Sequence, residues 1–416
     1  MKQNFSTQAV HAGEDKRKPF GALTTPIVQT STYTFENSAE IKDFMQRKQA
    51  EEKPLRDEYG RYSNPTIRAA EDKIAVLEGG QRALLFASGM NAISTILLTF
   101  LSSGDHVVMV SDCYHRTREF ALAYMDRWGI KTTLTPIDQP EAISAAIRPN
   151  TRLIFSETPT NPYLRVVDLE RLVSIARQNN LLTIVDSTFA TPLNLSPLEF
   201  GVDLVIHSAS KYLGGHNDLL AGVAVGPEHL IAAIEAARGV IGGISNPNDA
   251  YLLLRGLKTL ELRVKQQNIN GLRVAEYLEG HPLIESVYYP GLPSHPDHHI
   301  AVRQMNGYGG VVSFKIKGDF ADTGYFIDNL ELPYIGPTLG GVESIIEQPA
   351  ALFSLNEAEW RSAGLTENLV RYALGIEAAE DIIADLQQAL AALEAAYRAK
   401  TQSNKEYRKV SFVPGD

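Results

Sequence analysis

His207-Ser208-Ala209-Ser210-Lys211 follows a short apolar run of strand length, Leu204 to His207. In open α/β sheets, ligands collect beyond the carboxyl ends of strands, where a lysine can be held away from bulk water. Near another cation such an amine loses its proton below its ordinary pKa of about 10.4 and can attack an aldehyde. Taken alone, a lysine in such a loop is more often a solvated surface residue. Asp186 closes a second apolar run, Leu181 to Val185, 25 residues before Lys211. A carboxylate there can hold the protonated nitrogen of a pyridine ring and keep that ring an electron sink, or it can cap a helix. Phe86-Ala87-Ser88-Gly89-Met90-Asn91 is a small-residue turn opening an apolar helix. Its backbone N–H groups and helix dipole can receive a phosphate, with Ser208 and Ser210 adding hydroxyl donors.

These residues need a rigid frame. Ile67, Ala70, Ile74 and Leu77 mark one helical face, ended by Gly79 and Gly80. Apolar runs then alternate with helical stretches: His106 to Val110, Leu153 to Ser156, Leu181 to Asp186, Leu204 to His207 and Gly222 to Val225. Between two of them, Leu169, Leu172, Val173 and Ala176 recur at helical spacing. This βαβ texture predicts an α/β fold with a mostly parallel sheet buried on both faces. Past Gly256 a charged helical run, Leu257 to Leu278, leads into alternation at Val312, Phe314 and Ile316 against Ser313, Lys315 and Lys317, the pattern of a sheet with one wet face. The expected domains are an N-terminal arm over 1–65 with one helix, a large domain over 66–256, and a smaller α+β domain over 257–400 that ends in a helix from Ala379 to Tyr397. Residues 401–416 read as a mobile tail.

Composition narrows the partners. The 416 residues suit two to three domains. With 39 Lys and Arg against 49 Asp and Glu, the net charge of -10 disfavours nucleic acid and anionic membrane. Small molecules or proteins remain. A single cysteine, Cys113, excludes an intrachain disulfide and points to a reducing, cytoplasmic compartment. Met1 to Asp15 lacks the apolar core of a secretory signal. Ala83 to Leu101 is uncharged, but its polar side chains fit a helix buried under a sheet better than a membrane span. His295, Asp297, His298 and His299 lack a strong metal-ligand spacing and read as surface loop residues, so no metal is expected.

Five motifs occur in a fixed order: Tyr59-Gly60-Arg61-Tyr62-Ser63-Asn64-Pro65-Thr66, Ser88-Gly89-Met90, Glu157-Thr158-Pro159-Thr160-Asn161-Pro162, Asp186-Ser187-Thr188-Phe189-Ala190-Thr191-Pro192, and His207 to His216. Together they resemble the Cys/Met metabolism family of pyridoxal-phosphate enzymes, of the aspartate aminotransferase-like fold, from about Ser6 to Leu393. Gly215-His216-Asn217-Asp218, the Pro290 to Pro296 loop and Asn368-Leu369-Val370-Arg371 are most similar to the plant-type cystathionine γ-synthase branch. The resemblance implies pyridoxal 5'-phosphate held by Lys211, which then moves protons, with Asp186 on the ring nitrogen and Tyr114 stacked on the ring. It implies phosphate contacts from Gly89, Met90, Ser208 and Ser210, and from Tyr59 and Arg61 of a neighbouring subunit in a homotetramer. Arg371 would clamp the substrate carboxylate, with Asn161 and Thr338 nearby, although an exposed strand arginine is an equal reading of its local pattern.

Glu343 stands where γ-acting members resemble one another and β-lyases tend to carry tyrosine. The implied reaction replaces the activated hydroxyl of homoserine with cysteine, giving cystathionine. γ-Elimination and sulfide addition are the near alternatives, and a non-catalytic cofactor-binding regulator is the alternative of another class. Two departures from the commoner family pattern are His115-Arg116-Thr117-Arg118 and Phe353-Ser354-Leu355. Arg116 and Arg118 either receive an anionic leaving group or form a solvated helix start.

Overall fold

The computed structural model describes residues 3–50, 56–137, 139–352 and 364–410. Phe353-Ser354-Leu355 and residues 411–416 of the expected tail lie outside the described residues. The chain divides into two compact units: Met1–Asn161, Arg165–Leu262 and Gln304–Asn306 form one, and Pro162–Leu164, Arg263–Arg303 and Gly307–Asp416 the other.

The strands of the first unit are β1 (Arg82–Phe86), β2 (His106–Val110), β3 (Lys131–Thr135), β4 (Thr151–Glu157), β5 (Leu182–Asp186), β6 (Leu204–Ser208) and β7 (Gly222–Gly226). They form one sheet in the order β1-β7-β6-β5-β4-β2-β3. From β6 through β3 the neighbours are parallel, whereas β7 runs antiparallel between β6 and β1. β2 and β7 are buried along their whole length, as a sheet covered on both faces requires. Asn64 caps the helix Pro65–Glu78 through the Thr66 and Ile67 amides, and Gly79 ends it at φ 76°, a left-handed conformation that suits glycine. The predicted face Ile67, Ala70, Ile74 and Leu77 is buried. The core joins Leu84, Phe86, Ile93, Ile96, Met109, Phe155, Ile184 and Ile206. Each such side chain contributes about 1.5–3 kcal/mol on burial.

The structure departs from the sequence pattern at particular elements. The uncharged stretch from Ala83 is strand β1 followed by the helix Gly89–Phe100, separated at Ala87–Ser88. β3 carries mainly polar side chains because it is an edge strand. The charged run expected as a helix from Leu257 to Leu278 is one helix, Leu260–Glu279, and Leu257 itself closes the preceding helix, Pro247–Leu257. Among its described residues the N-terminal arm contains two α-helices, Phe5–His11 and Ser38–Gln49, rather than one. It is tied down by Lys73, whose buried Nζ donates to the carbonyls of Ala9 and Val10 at 2.9 and 3.0 Å and pairs with Glu14 at 3.2 Å. Among the described residues, no helix is long and apolar enough to cross a membrane.

The second unit contains β8 (Ile284–Tyr288), β9 (Val311–Ile316), β10 (Tyr334–Ile335), β11 (Ile345–Glu347) and β12 (Leu369–Ala373), in the order β10-β11-β12-β9-β8. All pairs but β10–β11 are antiparallel. The wet face expected of β9 fails at Ser313, which is buried because its hydroxyl donates to the Pro162 carbonyl at 2.6 Å. The last helix runs from Ala379 through Val410 rather than giving way to a tail after residue 400. Its Ile382, Leu386, Leu390 and Leu393 are buried.

Candidate active site

Ser88 opens the helix Gly89–Phe100, its side chain accepting from the Asn91 amide at 3.1 Å while its carbonyl accepts from Ala92. The amides of Gly89 and Met90 therefore have no intrahelical acceptor and stand at the positive end of the dipole. A Cβ on Gly89 would lie 3.0 Å from the Ser208 Cβ, and one on Gly222 only 2.2 Å from the Ser88 carbonyl oxygen. The absent side chains let β6 and β7 approach the turn this closely. Ser210 Oγ accepts from the Ala221 amide at 2.9 Å, which pins the segment before Lys211.

Asp186 ends β5 and is 7% exposed. Its Oδ1 accepts from the Thr188 amide at 3.0 Å and the Thr188 hydroxyl at 2.5 Å, and that hydroxyl in turn accepts from the Ser208 amide at 2.8 Å. One threonine thus connects the buried carboxylate to the turn that carries Lys211. In register with Asp186, at the end of β4, stands Glu157, 4% exposed and accepting from the Tyr114 amide at 2.7 Å. Burial raises the pKa of both carboxyls. For Glu157 the Asp186 charge raises it further, against bonds from the Tyr114 and Asn161 amides and the charge of Arg118. For Asp186 the Thr188 bonds and the charge of His207 oppose the rise. Glu157, Thr188 and Gly222 were given no role from sequence. Glu157 carried the same signal as Asp186, a carboxylate closing an apolar strand, and Thr188 stood two residues beyond an aspartate, the spacing of a local turn bond.

Lys211 lies three residues past the end of β6, half-buried; its amide donates to the Ser208 carbonyl at 3.1 Å and its carbonyl accepts from Gly215 at 2.7 Å. Asn161 is half-buried beyond β4, and the Tyr114 ring meets His115 edge-on at 4.6 Å. Arg116 is exposed and paired with Glu119 at 2.6 Å, the solvated helix start, whereas Arg118 donates to the Ser111 carbonyl at 2.7 Å. Tyr59 is exposed, and Arg61 lies over the rings of Tyr59 and Tyr62 at 5.6 and 4.8 Å.

The second unit holds the remaining residues. Arg371 on β12 pairs with Glu347 on β11 and donates to the Thr338 carbonyl at 3.1 Å, so Arg371 and Thr338 are brought together. Arg371 is buried, not the exposed strand arginine its local pattern allowed, because the neighbouring strand supplies the countercharge. Glu343 is exposed. His295 and Asp297 are buried rather than at the surface, the Asp297 amide donating to the His295 ring at 3.2 Å, while His299 is exposed. Among the described residues, no three His, Cys, Asp or Glu side chains cluster as metal ligands.

The first unit thus sets open helix amides, a buried carboxylate and a lysine at one end of a parallel sheet, a donor set that fits a phosphate, a pyridinium and an aldehyde. Residues 6–391 match the family profile of Cys/Met metabolism PLP-dependent enzymes. The chain belongs to this family.

It is an enzyme that depends on pyridoxal phosphate, and its fold, with a mostly parallel sheet and a smaller second sheet, is the one the motifs implied. A chloroplastic cystathionine γ-synthase 1 of Nicotiana tabacum is 46% identical over 387 residues, covering 92% of this chain and 71% of that protein. An L-methionine γ-lyase of Fusobacterium nucleatum subsp. polymorphum is 41% identical over 394 residues, covering 94% and 98%. The crystal structure of a cystathionine γ-lyase from Lactobacillus plantarum, complexed with L-serine, matches with a TM-score of 0.86 at 36% identity, covering 94% of this chain and 100% of that one. Family members of this similarity include synthases and lyases, so membership defines a class of chemistry rather than one reaction.

Proposed function

We propose that this enzyme replaces the activated γ-hydroxyl of an O-activated homoserine with the thiol of cysteine, forming cystathionine on the route to methionine. The observation that carries this reading is the 46% identity to a plant cystathionine γ-synthase along 92% of the chain. The bound cofactor supplies an electron sink for negative charge at the α and β carbons of the substrate. Lys211 Nζ holds the cofactor between turnovers and moves protons at Cα and Cβ. Loss of those protons expels the activated oxygen from Cγ; the cysteine thiol gives up its proton, which balances the departing oxyanion, its sulfur bonds to Cγ, and the two protons taken from carbon return to Cβ and Cα. Asp186, held by Thr188, would hold the ring nitrogen. Gly89, Met90, Ser208 and Ser210 would bind the phosphate, and Tyr114 and Asn161 would support the ring.

Arg371 binds the substrate carboxylate through its planar fork, beside Thr338. Glu343, at the position shared by γ-acting members, supports γ over β chemistry. Arg116 and Arg118 are the candidates to meet an anionic leaving group, although Arg116 pairs with Glu119 at the surface and Arg118 donates to the Ser111 carbonyl. The proposed assembly is a cytoplasmic homotetramer in which Tyr59 and Arg61 reach a neighbour's phosphate, a reading supported by the exposure of Tyr59.

Mass-spectrometric assay with phosphohomoserine, succinylhomoserine and acetylhomoserine, each with cysteine, should yield cystathionine from at least one, and Lys211→Ala should abolish it. The 41% identity to a methionine γ-lyase favours γ-elimination as the second reading. If ketobutyrate and ammonia form with no cystathionine, that reading replaces the first. Homocysteine formed from sulfide, with no cystathionine from cysteine, would instead make the enzyme a sulfhydrylase.

A further inference from the structure

We infer that Glu157 is a positioning residue for this enzyme: its buried carboxylate ties the main chain of Tyr114 to that of Asn161 and so sets both residues against the cofactor ring. The inference rests on the proposed reading of Tyr114 and Asn161 and extends it to a residue that touches neither substrate nor cofactor in that reading.

Glu157 ends β4 between two parallel neighbours, β2 and β5. Tyr114 lies beyond the end of β2, 43 residues earlier in the chain, yet its amide meets Glu157 Oε2 at 2.7 Å. The Asn161 amide, four residues past Glu157, donates to the same carboxylate. A carboxylate has two acceptor oxygens and no N–H to clash with a donor, so it can hold two amides at once. Both ties use main-chain atoms, so neither consumes the phenol or the side-chain amide. Leaving a buried main-chain donor without its acceptor costs its full desolvation, which suits a group that must fix two loops from different strands. Glutamine would keep one acceptor oxygen and turn an N–H toward the second donor; alanine would leave both amides without it.

The test compares Glu157→Gln and Glu157→Ala with the wild type as apoenzyme and holoenzyme. Amide hydrogen exchange in the apoenzyme should quicken in peptides covering 112–116 and 159–163, most in the alanine variant, with the rest of the first unit unchanged. Titration of apoenzyme with pyridoxal phosphate should show affinity weaker by about tenfold or more for alanine and a few-fold for glutamine. The visible circular dichroism of the bound cofactor should shrink in the same order. kcat should fall more than KM for the activated homoserine changes. Wild-type exchange in both peptides together with an unchanged dichroic band would overturn the inference. If the alanine variant does not fold, the glutamine variant decides by the same two signals. The proposed reaction fails separately, by absence of cystathionine from the wild type.

Discussion

Glu347 and Arg371 face each other in register on adjacent antiparallel strands, 2.9 Å apart, with side chains 6% and 5% exposed. The pair, with the bond to the Thr338 carbonyl, holds the guanidinium plane fixed. Arg371→Ala would strand the Glu347 charge in the interior and should cost about 3–5 kcal/mol, read by denaturant unfolding. Arg371→Lys keeps the charge but loses the fork. Its KM for the amino-acid substrate should rise by about tenfold or more at a smaller stability cost. A lysine variant with wild-type KM would remove Arg371 from substrate binding.

The Glu157 and Asp186 carboxyls both hold their protons above the ordinary values of 4.5 and 3.8, each chiefly through burial, and Glu157 does so strongly. The charged and titratable groups around them are Arg118, His207 and Cys113, whose thiol is itself pushed up by burial and by Glu157. A folded state that keeps a proton the unfolded chain has released loses stability as pH rises. Urea midpoints of the apoenzyme should therefore decline from pH 4.5 upward through the folded Glu157 pKa, and Glu157→Gln should flatten that slope. An identical slope in the variant would show that the loss arises elsewhere.

Gly222 cannot carry a side chain without moving the Ser88 carbonyl, 2.2 Å from its would-be Cβ. Gly222→Ala should lower stability by about 1–3 kcal/mol through overpacking. It should also weaken pyridoxal-phosphate affinity, because the displaced turn carries the Gly89 and Met90 amides. Gly89→Ala should be milder, its contact being 3.0 Å from the Ser208 Cβ. Cofactor titration of the two variants checks the ranking.

Lys73→Met removes the tie that fastens the arm. Glu14 keeps Lys258 at 2.9 Å, so the loss should sit near the lower end of the roughly 3–5 kcal/mol that breaking a buried pair costs. Limited tryptic cleavage at Lys16–Lys18 should quicken, and unchanged cleavage would mean that other contacts hold the arm. Burial raises the Glu14 pKa, but bonds from Lys258 and Thr25 and the charge of Lys73 outweigh it and hold the pKa below 4.5. Its contribution should be present above that pH and lost as the pH falls through the folded value.

The parallel core of the large sheet was legible because β2, β4, β5 and β6 are apolar runs ended by polar residues, a pattern that a buried strand enforces. β1 was not, because it merges without a charge into the helix that follows. β3 was not, because an edge strand with a partly wetted face needs few apolar side chains. Lys211 and Asp186 stood out as polar residues at strand ends within ordered motifs. Glu157 sat in one of those motifs without a role, since its bond to the Tyr114 amide joins residues 43 apart and only the neighbouring of β2 and β4 reveals it. Arg371 looked equally suited to solvent until Glu347 appeared opposite it.

β7 lies between β1 and β6, and residues 222–226 pair with residues 82–86. During synthesis the first of these strands leaves the ribosome about 140 codons before its partner is made, a delay of roughly 7–28 s at about 5–20 residues per second. Until then the turn at Ser88 has no strand to rest against. The turn at the head of the helix Gly89–Phe100 can therefore take its final shape only in a nascent chain that has already passed its midpoint.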